Sequence, residues 1–324
     1  MVLQVLFAAF FLWYAGSAAC NSTSRILLQG HMPSPLVVCC SQFAIATFIL
    51  WVAIRGTGWI KDAPLPREAY STMKKLSFVY ALGFLCVNIG YALLTVSLAE
   101  TLRSAEPLFS AAFTLLFLKS ERVSRASMAS LIPIVVGGAL ASASDSTFSA
   151  AAFACVTVSN ACFAARSILT KRLAAVYSGD AANIFFRVSA LGAFYIFALS
   201  VVAELLVALQ ILPLSVSPCW NCAVESSGNK AMGILLFNAL AYTLYNSMSY
   251  FVLSKVSVVT HAVGNAFRRV VTIFFSVWYL GNVITATNAT GIAIATAGVV
   301  AYAANKGNEG KGPAYRSLPM TTTR

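Results

Sequence analysis

The sequence predicts an all-α integral membrane protein of about ten transmembrane helices, arranged as two inverted five-helix repeats. Three observations predict it. Charged residues make up only 10% of the chain against 59% apolar ones, where a soluble protein carries roughly 25% charged residues. The apolar runs are long and continuous, near the ~20 residues a helix needs to cross the hydrocarbon, and they lack the two-residue alternation of a barrel strand. The basic residues collect in the loops of one side, as they do on the cytosolic face of membrane proteins.

The runs fall at 2–21, 34–54, 76–98, 102–118, 127–143, 149–169, 184–212, 231–253, 258–280 and 286–304. The first carries Trp13, Tyr14 and Asn21 and has neither a basic leader nor a small-residue cleavage site. It reads as a retained helix, with no Arg/Ser-rich transit stretch before it. Leu98 to Arg103 leaves the third and fourth runs almost no linker. Loop 55–75 holds Arg55, Lys61, Arg67, Lys74 and Lys75, and loop 119–125 holds Lys119, Arg122 and Arg125. Lys171, Arg172, Lys255 and the tail cations Lys306, Lys311, Arg316 and Arg324 fall on the same side, and the other side has Arg25 and Lys230. This asymmetry places both termini in the cytosol. It also accounts for the net charge of +12 without a nucleic-acid partner.

Two stretches look alike about half a chain apart. One starts at Glu106 and the other at Arg268, and each pairs an apolar helix ending near a Leu (Leu118, Leu280) with a Gly-bearing helix. Halves of five helices must run in opposite senses, because five is odd, and inverted repeats of this kind are typical of secondary transporters. The expected units are 1–145, 146–305 and a disordered cytosolic tail, 306–324. Gly137, Gly138, Ala295, Ala297 and Gly298 suit close helix contact.

Charge inside the spans points to a binding site, since an ionisable group at mid-membrane costs roughly 2.5–3.5 kcal/mol. Arg268 and Arg269 lie ten residues into the ninth span, about 15 Å deep. Arg103, Glu106, Pro107, Ser110 and Thr114 share one face of the fourth span. His261, Gly264, Asn265, Arg268 and Thr272 share one face of the ninth. Each is a polar stripe that suits a water-filled cavity. Glu100 and Glu106 would absorb part of the charge, but three arginines against two glutamates leave a positive remainder suited to an anion. Arginine's planar fork matches phosphate oxygens. Tyr245 offers a phenol at the same depth, and Asn88 could orient a hydroxyl. Arg166 and Arg187, nearer span ends, read as structural.

The chain holds two histidines, His31 and His261, and no HExxH, GxSxG or Walker-type loop. No enzyme activity, cofactor or metal is expected. Cys219 and Cys222 form a C-W-N-C pair without the second pair a metal would need, and a disulfide and two free thiols are both open to it.

The stretch SAEPLFS (104–110) after Arg103 resembles the lysine-x-x-glutamate-proline segment of the triose-phosphate, phosphoenolpyruvate and sugar-phosphate translocator family. VVTHAVGNAFRRVV (258–271) is similar to that family's threonine-histidine segment ending in lysine-arginine, and 133–149 together with Trp13, Tyr14 and Asn21 also fit. The resemblance implies the drug/metabolite transporter fold and antiport of a phosphorylated metabolite for inorganic phosphate. It implies that Arg103, Arg268, Arg269 and Tyr245 bind phosphate, with Phe84, Val87, Asn88, His261 and Asn265 beside the organic part of the substrate. There are departures: Phe84 and Val87 stand where triose-phosphate members have a histidine and a small hydroxyl residue, and Glu100 replaces another histidine. Partners would be phosphorylated metabolites, inorganic phosphate and the lipid bilayer, and a homodimer is left open. The membrane would be a plastid-type envelope or the Golgi/ER. The alternative is a Golgi/ER nucleotide-sugar transporter, motivated by Cys219, Cys222 and the Asn21 and Asn288 sequons.

Overall fold

The computed structural model describes residues 2–32, 34–117, 124–143, 145–174, 176–177, 179–211, 228–255, 258–281 and 285–309. Among these every regular element is a helix, with no strand. In chain order they are α1 (Val2–Ile26), α2 (Pro35–Trp51), α3 (Tyr70–Leu93), α4 (Val96–Arg103), α5 (Glu106–Phe117), α6 (Arg125–Ala129), α7 (Leu131–Ala143), α8 (Ala150–Ala174), α9 (Ala181–Ala208), α10 (Gly228–Lys255), α11 (Val258–Leu280) and α12 (Ala286–Glu309). Single π turns extend α1 over Leu27–His31 and α2 over Val52–Gly56.

Among the described residues seven stretches are long and apolar enough to cross a membrane: Gln4–His31, Pro35–Gly56, Arg67–Leu93, Arg125–Ala143, Ala150–Thr170, Ala181–Ala208 and Ala286–Asn305. The expected fourth, eighth and ninth spans are not among them. The fourth was expected as one helix over 102–118, and it is broken into α4 and α5 at Ser104 and Ala105. Pro107 has no N–H to give the Arg103 carbonyl and its ring crowds that turn, so the helix cannot run through. The Asn160 amide braces the break, donating at 2.9 Å to Leu102 O, which also accepts from Ala105 N at 3.1 Å. Helices α10 and α11 carry much of the polar character of the interior, including Asn238, Asn246, Arg268 and Arg269.

Local chemistry fixes the ends around α4. The Thr95 side chain caps its N-terminus, accepting from Leu98 N at 3.3 Å. Asp145 in the polar turn accepts from Thr95 Oγ1 at 3.1 Å and from both the backbone and hydroxyl of Thr147. Arg25 donates to the carbonyls of Tyr91 and Leu94, placing a cation at the negative end of α3. On the opposite face, Arg187 donates to Ala63 O at 2.6 Å and lies beside Asp62. This is the structural role expected of it.

The helices pack across the chain rather than in sequence order. Helix α1 packs on α10 and α11, α3 on α8 and α9, α2 on α9 and α10, and α7 on α12. The main core lies where α1, α2, α3, α9 and α10 meet, around Trp13, Phe43, Tyr80, Phe185 and Tyr242. Five of the described cysteines are buried thiols and Cys155 is half-buried, in keeping with small apolar fillers. Helix α12 runs to Glu309, past the point where the tail was expected to begin. Leu118, Lys119, Arg122, Cys219, Cys222 and the tail from 310 lie outside the described residues.

Two sequon readings need correction. Asn21 is buried within α1 and donates to Glu100, and Asn288 is buried within α12 and donates to Ala141 O at 3.0 Å. Neither amide is open to a glycan.

Helices α7 and α12 cross with their backbones in close approach at Gly137 and Gly291. A Cβ built on Gly137 would sit 2.4 Å from the Ala295 backbone nitrogen, whereas one on Gly138 would meet nothing within 4 Å. Gly137→Ala should therefore lower the thermal midpoint, at a cost of roughly 1–3 kcal/mol from overpacking. Gly138→Ala should hold or raise it, because Ala favours helix more than Gly. Equal midpoints for the two variants would contradict the crossing.

Candidate functional site

Glu100 and Arg103 lie on α4, and Glu106 opens α5 just past the break, which brings three ionisable residues to one place inside the bundle. All eight residues of α4 are buried. Facing them on α11 are Arg268 and Arg269, each 5% exposed, with Arg103 7% and Glu100 0% exposed. At such burial these charges have lost most of their hydration, so they depend on partners inside the bundle.

Glu100 is the hub. One of its oxygens accepts from the Tyr91 hydroxyl, from Arg103 Nη1 and from Asn21 Nδ2 at 3.2 Å. The other lies 3.8 Å from Arg269 Nη1. Arg269 also donates to Glu106 at 2.7 Å. The internal ion pairs weighed from the sequence are thus present, and both glutamates take part. Four helical segments, α1, α3, α4 and α11, meet on one carboxylate.

Arg268 is held differently. It donates to the Ser17 hydroxyl and to Asn265 Oδ1 at 3.0 Å, and its guanidinium lies 5.9 Å from the centre of the Tyr245 ring. Among the described residues no carboxylate pairs with it. Three arginines and two glutamates thus meet in the cluster, and Arg268 is the arginine without an ion pair among the described residues.

Beside Arg103 lies a narrow cavity of about 10 Å³, room for little more than one water-sized group. Phe84, Val87, Asn88, Tyr91 and Tyr245 share its wall with Arg103. Phe84 sits in an aromatic cage, its ring 4.8 Å from Tyr80, 5.1 Å from Tyr242 and 5.2 Å from Phe163. Asn88 does not present a free amide. It donates to Gln42 and to Phe84 O at 3.2 Å each, and Gln42 donates in turn to Asn238 at 2.9 Å. Asn265 faces Arg268 rather than the cavity wall, and the side chain of His261 lies outside the described residues. Arg166 lies over the Phe163 and Tyr80 rings at 5.2 and 5.7 Å.

Sequence reasoning missed Ser17, Asn21, Tyr91 and the Gln42–Asn238 pair. A signal was present for some of them. Ser17, Asn21 and Ser24 recur at helical spacing on an apolar helix, and Tyr91 continues the face of Phe84, Val87 and Asn88.

A many-helix membrane protein with a buried cation cluster between its helices is the class that fold and site define. The model of the Triose-phosphate Transporter family matches residues 3–303. The chain belongs to this family, and it is a multi-pass membrane protein. It is 29% identical over 294 residues to the triose phosphate/phosphate translocator, chloroplastic, of Solanum tuberosum, covering 90% of this chain and 68% of that one. It is 30% identical over 302 residues to phosphoenolpyruvate/phosphate translocator 1, chloroplastic, of Oryza sativa subsp. japonica, covering 91% and 70%. The triose phosphate/phosphate translocator, chloroplastic, of Spinacia oleracea is 28% identical over 294 residues, covering 90% and 70%.

The Tyr91 hydroxyl both donates to Glu100 and accepts from Arg103 at 3.2 Å. Tyr91→Phe should cost roughly 1–2 kcal/mol of stability, seen as a lower thermal midpoint in detergent. A midpoint equal to the wild type would show that the hydroxyl carries no weight in the network.

Proposed function

We propose that the chain is an antiporter, exchanging a phosphorylated metabolite (triose phosphate, phosphoenolpyruvate or a sugar phosphate) for inorganic phosphate by alternating access. Arg103, Arg268, Arg269 and Tyr245 bind the phosphate, and Phe84, Val87 and the cage around them border the organic part. The observation that carries this reading is Arg268: a deeply buried guanidinium held by a hydroxyl, an amide oxygen and a ring, in a chain whose relatives are named phosphate translocators.

The coupling follows from electrostatics. Closing the bundle around an empty site leaves Arg268 without an anion in a low-dielectric interior, which is costly. A phosphate relieves that cost, so the loaded carrier reorients far more readily than the empty one. The cavity of about 10 Å³ is too small for a phosphate ester, so binding requires the helices around it to part, as alternating access demands.

The architecture of this reading is about ten membrane helices in two inverted halves, 1–145 and 146–305, followed by the tail 306–324. Packing supports it. Exchanging α1 with α8, α2 with α9, α3 with α10, α4–α5 with α11 and α7 with α12 turns the α1–α10 contact into α3–α8. The same exchange turns α2–α10 into α3–α9 and α1–α11 into α5–α8, and it returns α2–α9 and α7–α12 to themselves. Such a pattern is what a pseudo-twofold axis in the membrane plane produces. The one-sided basic loops support cytosolic termini. The relatives' names favour a plastid-type envelope over the Golgi/ER and lend the nucleotide-sugar alternative no support.

Purified protein in liposomes should take up labelled phosphate only when phosphate or a phosphorylated metabolite is trapped inside; equal uptake into empty liposomes would refute exchange. Arg268→Ala should weaken phosphate binding by about ten- to a hundredfold, the loss of a charge-assisted bond of roughly 1.5–3 kcal/mol. Arg268→Lys should lose less. Phosphate should raise the thermal midpoint of the wild type and not of the alanine variant. Wild-type phosphate affinity in a well-folded Arg268→Ala protein would rule the role out.

A further inference from the structure

The polar atoms around Glu100 are not evenly satisfied. Glu100 Oε1 has three donors, from Tyr91, Asn21 and Arg103. Glu100 Oε2 is buried and, among the described residues, has no hydrogen-bond partner. Arg269 Nη1, 3.8 Å from it, and Arg103 Nε are buried donors that also lack one. Two open donors and one open acceptor thus lie within the one cluster of Glu100, Arg103 and Arg269. A simple anion answers only the donors. A bare oxygen facing Oε2 would meet a like charge in low dielectric and leave both lone pairs unanswered. A protonated oxygen would instead donate to Oε2.

We infer that Glu100 is a specificity-determining residue that admits only anions bringing a proton, with a P–OH of the ligand donating to Oε2 while its bare oxygens accept from Arg103 Nε and Arg269 Nη1. This rests on the reading of the cluster as a phosphate site. The substrate class follows from the chemistry. Inorganic phosphate carries a hydroxyl as either its mono- or its dianion. A phosphate ester carries one only as the monoanion, whose ionisation lies near pH 6. Sulfate has the same tetrahedral shape and no proton at neutral pH, so it is excluded. No proton is created or lost in the step: it arrives on the ligand, is shared with Oε2, and leaves with the ligand. The charged and titratable groups facing Glu100 are Tyr91 from α3, Arg103 on its own helix, and Arg268 and Arg269 from α11, with Glu106 reached through Arg269. The proton that distinguishes the ligands is their own, so their ionisation sets the pH dependence.

The test measures binding of labelled inorganic phosphate to the full-length protein in detergent, with sulfate and methyl phosphate as competitors between pH 6 and pH 8.5. In the wild type, sulfate should compete at least about tenfold more weakly than phosphate, the cost of an unanswered buried acceptor. Methyl phosphate should weaken about tenfold per pH unit above its ionisation, and inorganic phosphate should not follow it. Glu100→Gln replaces the acceptor with an amide that can donate, so sulfate should gain on phosphate and the methyl phosphate slope should flatten. Glu100→Asp keeps the carboxylate and should keep both the slope and the exclusion of sulfate. Sulfate competing as well as phosphate in the wild type would overturn the inference, as would parallel pH profiles for phosphate and methyl phosphate. The wild-type measurements decide the matter even if Glu100→Gln fails to fold. A wild type that binds no phosphate at all would instead remove the reading of the site itself.

Discussion

The carboxylate of Glu100 is the point on which the interior turns. It has no exposed surface, and it ties together a hydroxyl from α3, an amide from α1 and guanidinium groups from α4 and α11. In lipid there is no water to answer a polar group that loses its protein partner. Helices that share this carboxylate therefore cannot drift apart without stranding charge, and the cations cannot gather without it. The other polar contacts of the core look arranged to hold it in register. The Gln42–Asn238 bond fixes α2 against α10, and Asn238 reaches back to Cys20 O on α1 at 2.8 Å, one residue before the asparagine that meets Glu100.

That hub exists because a helix is interrupted. Had 96–117 been one continuous α-helix, the carbonyls of its middle turns would all have been taken by its own N–H groups. Pro107 prevents this, and the break lets Glu100, Arg103 and Glu106 project from two short segments with different axes. The break is braced locally, by Asn160 on α8 donating to Leu102 O and by the Ser104 hydroxyl donating to Glu100 O at 3.0 Å, each beside a backbone bond that the carbonyl keeps. Irregular backbone at membrane depth is tolerated only where protein or a cavity covers it, and here α8 packs against both α4 and α5.

Much of this was legible in the sequence where period and charge speak for themselves. The ninth run, 258–280, coincides with α11, because its apolar face and polar stripe both keep helical spacing. The three arginines stood out because cations are rare at that depth. What stayed hidden depended on which residues meet across the chain. An apolar run over 102–118 looks continuous although Pro107 breaks it, since hydropathy does not register a missing N–H. Asn21-Ser-Thr reads as a surface motif on composition alone. Its place under Glu100, 79 residues away in sequence, follows from tertiary packing that no local window contains. Asn88 looked free for the same reason, and its partner Gln42 is on another helix.

Within the proposed exchange, the division of labour among the arginines has a physical sense. Arg103 and Arg269 are neutralised by glutamates, so they can stay buried through a whole transport cycle without a large penalty. Arg268 faces Glu100 but, among the described residues, makes no ion pair of its own and is held by neutral groups and an aromatic face, so it is the costliest of the three to bury without an anion. Neutralising all three would give a carrier that closes as readily empty as loaded and leaks its gradient away. Leaving all three bare would give one too unstable to assemble, since each buried charge carries several kcal/mol of desolvation. One unneutralised guanidinium beside two compensated ones sets the cost of empty closure high enough to couple the two directions of movement and low enough for the bundle to fold.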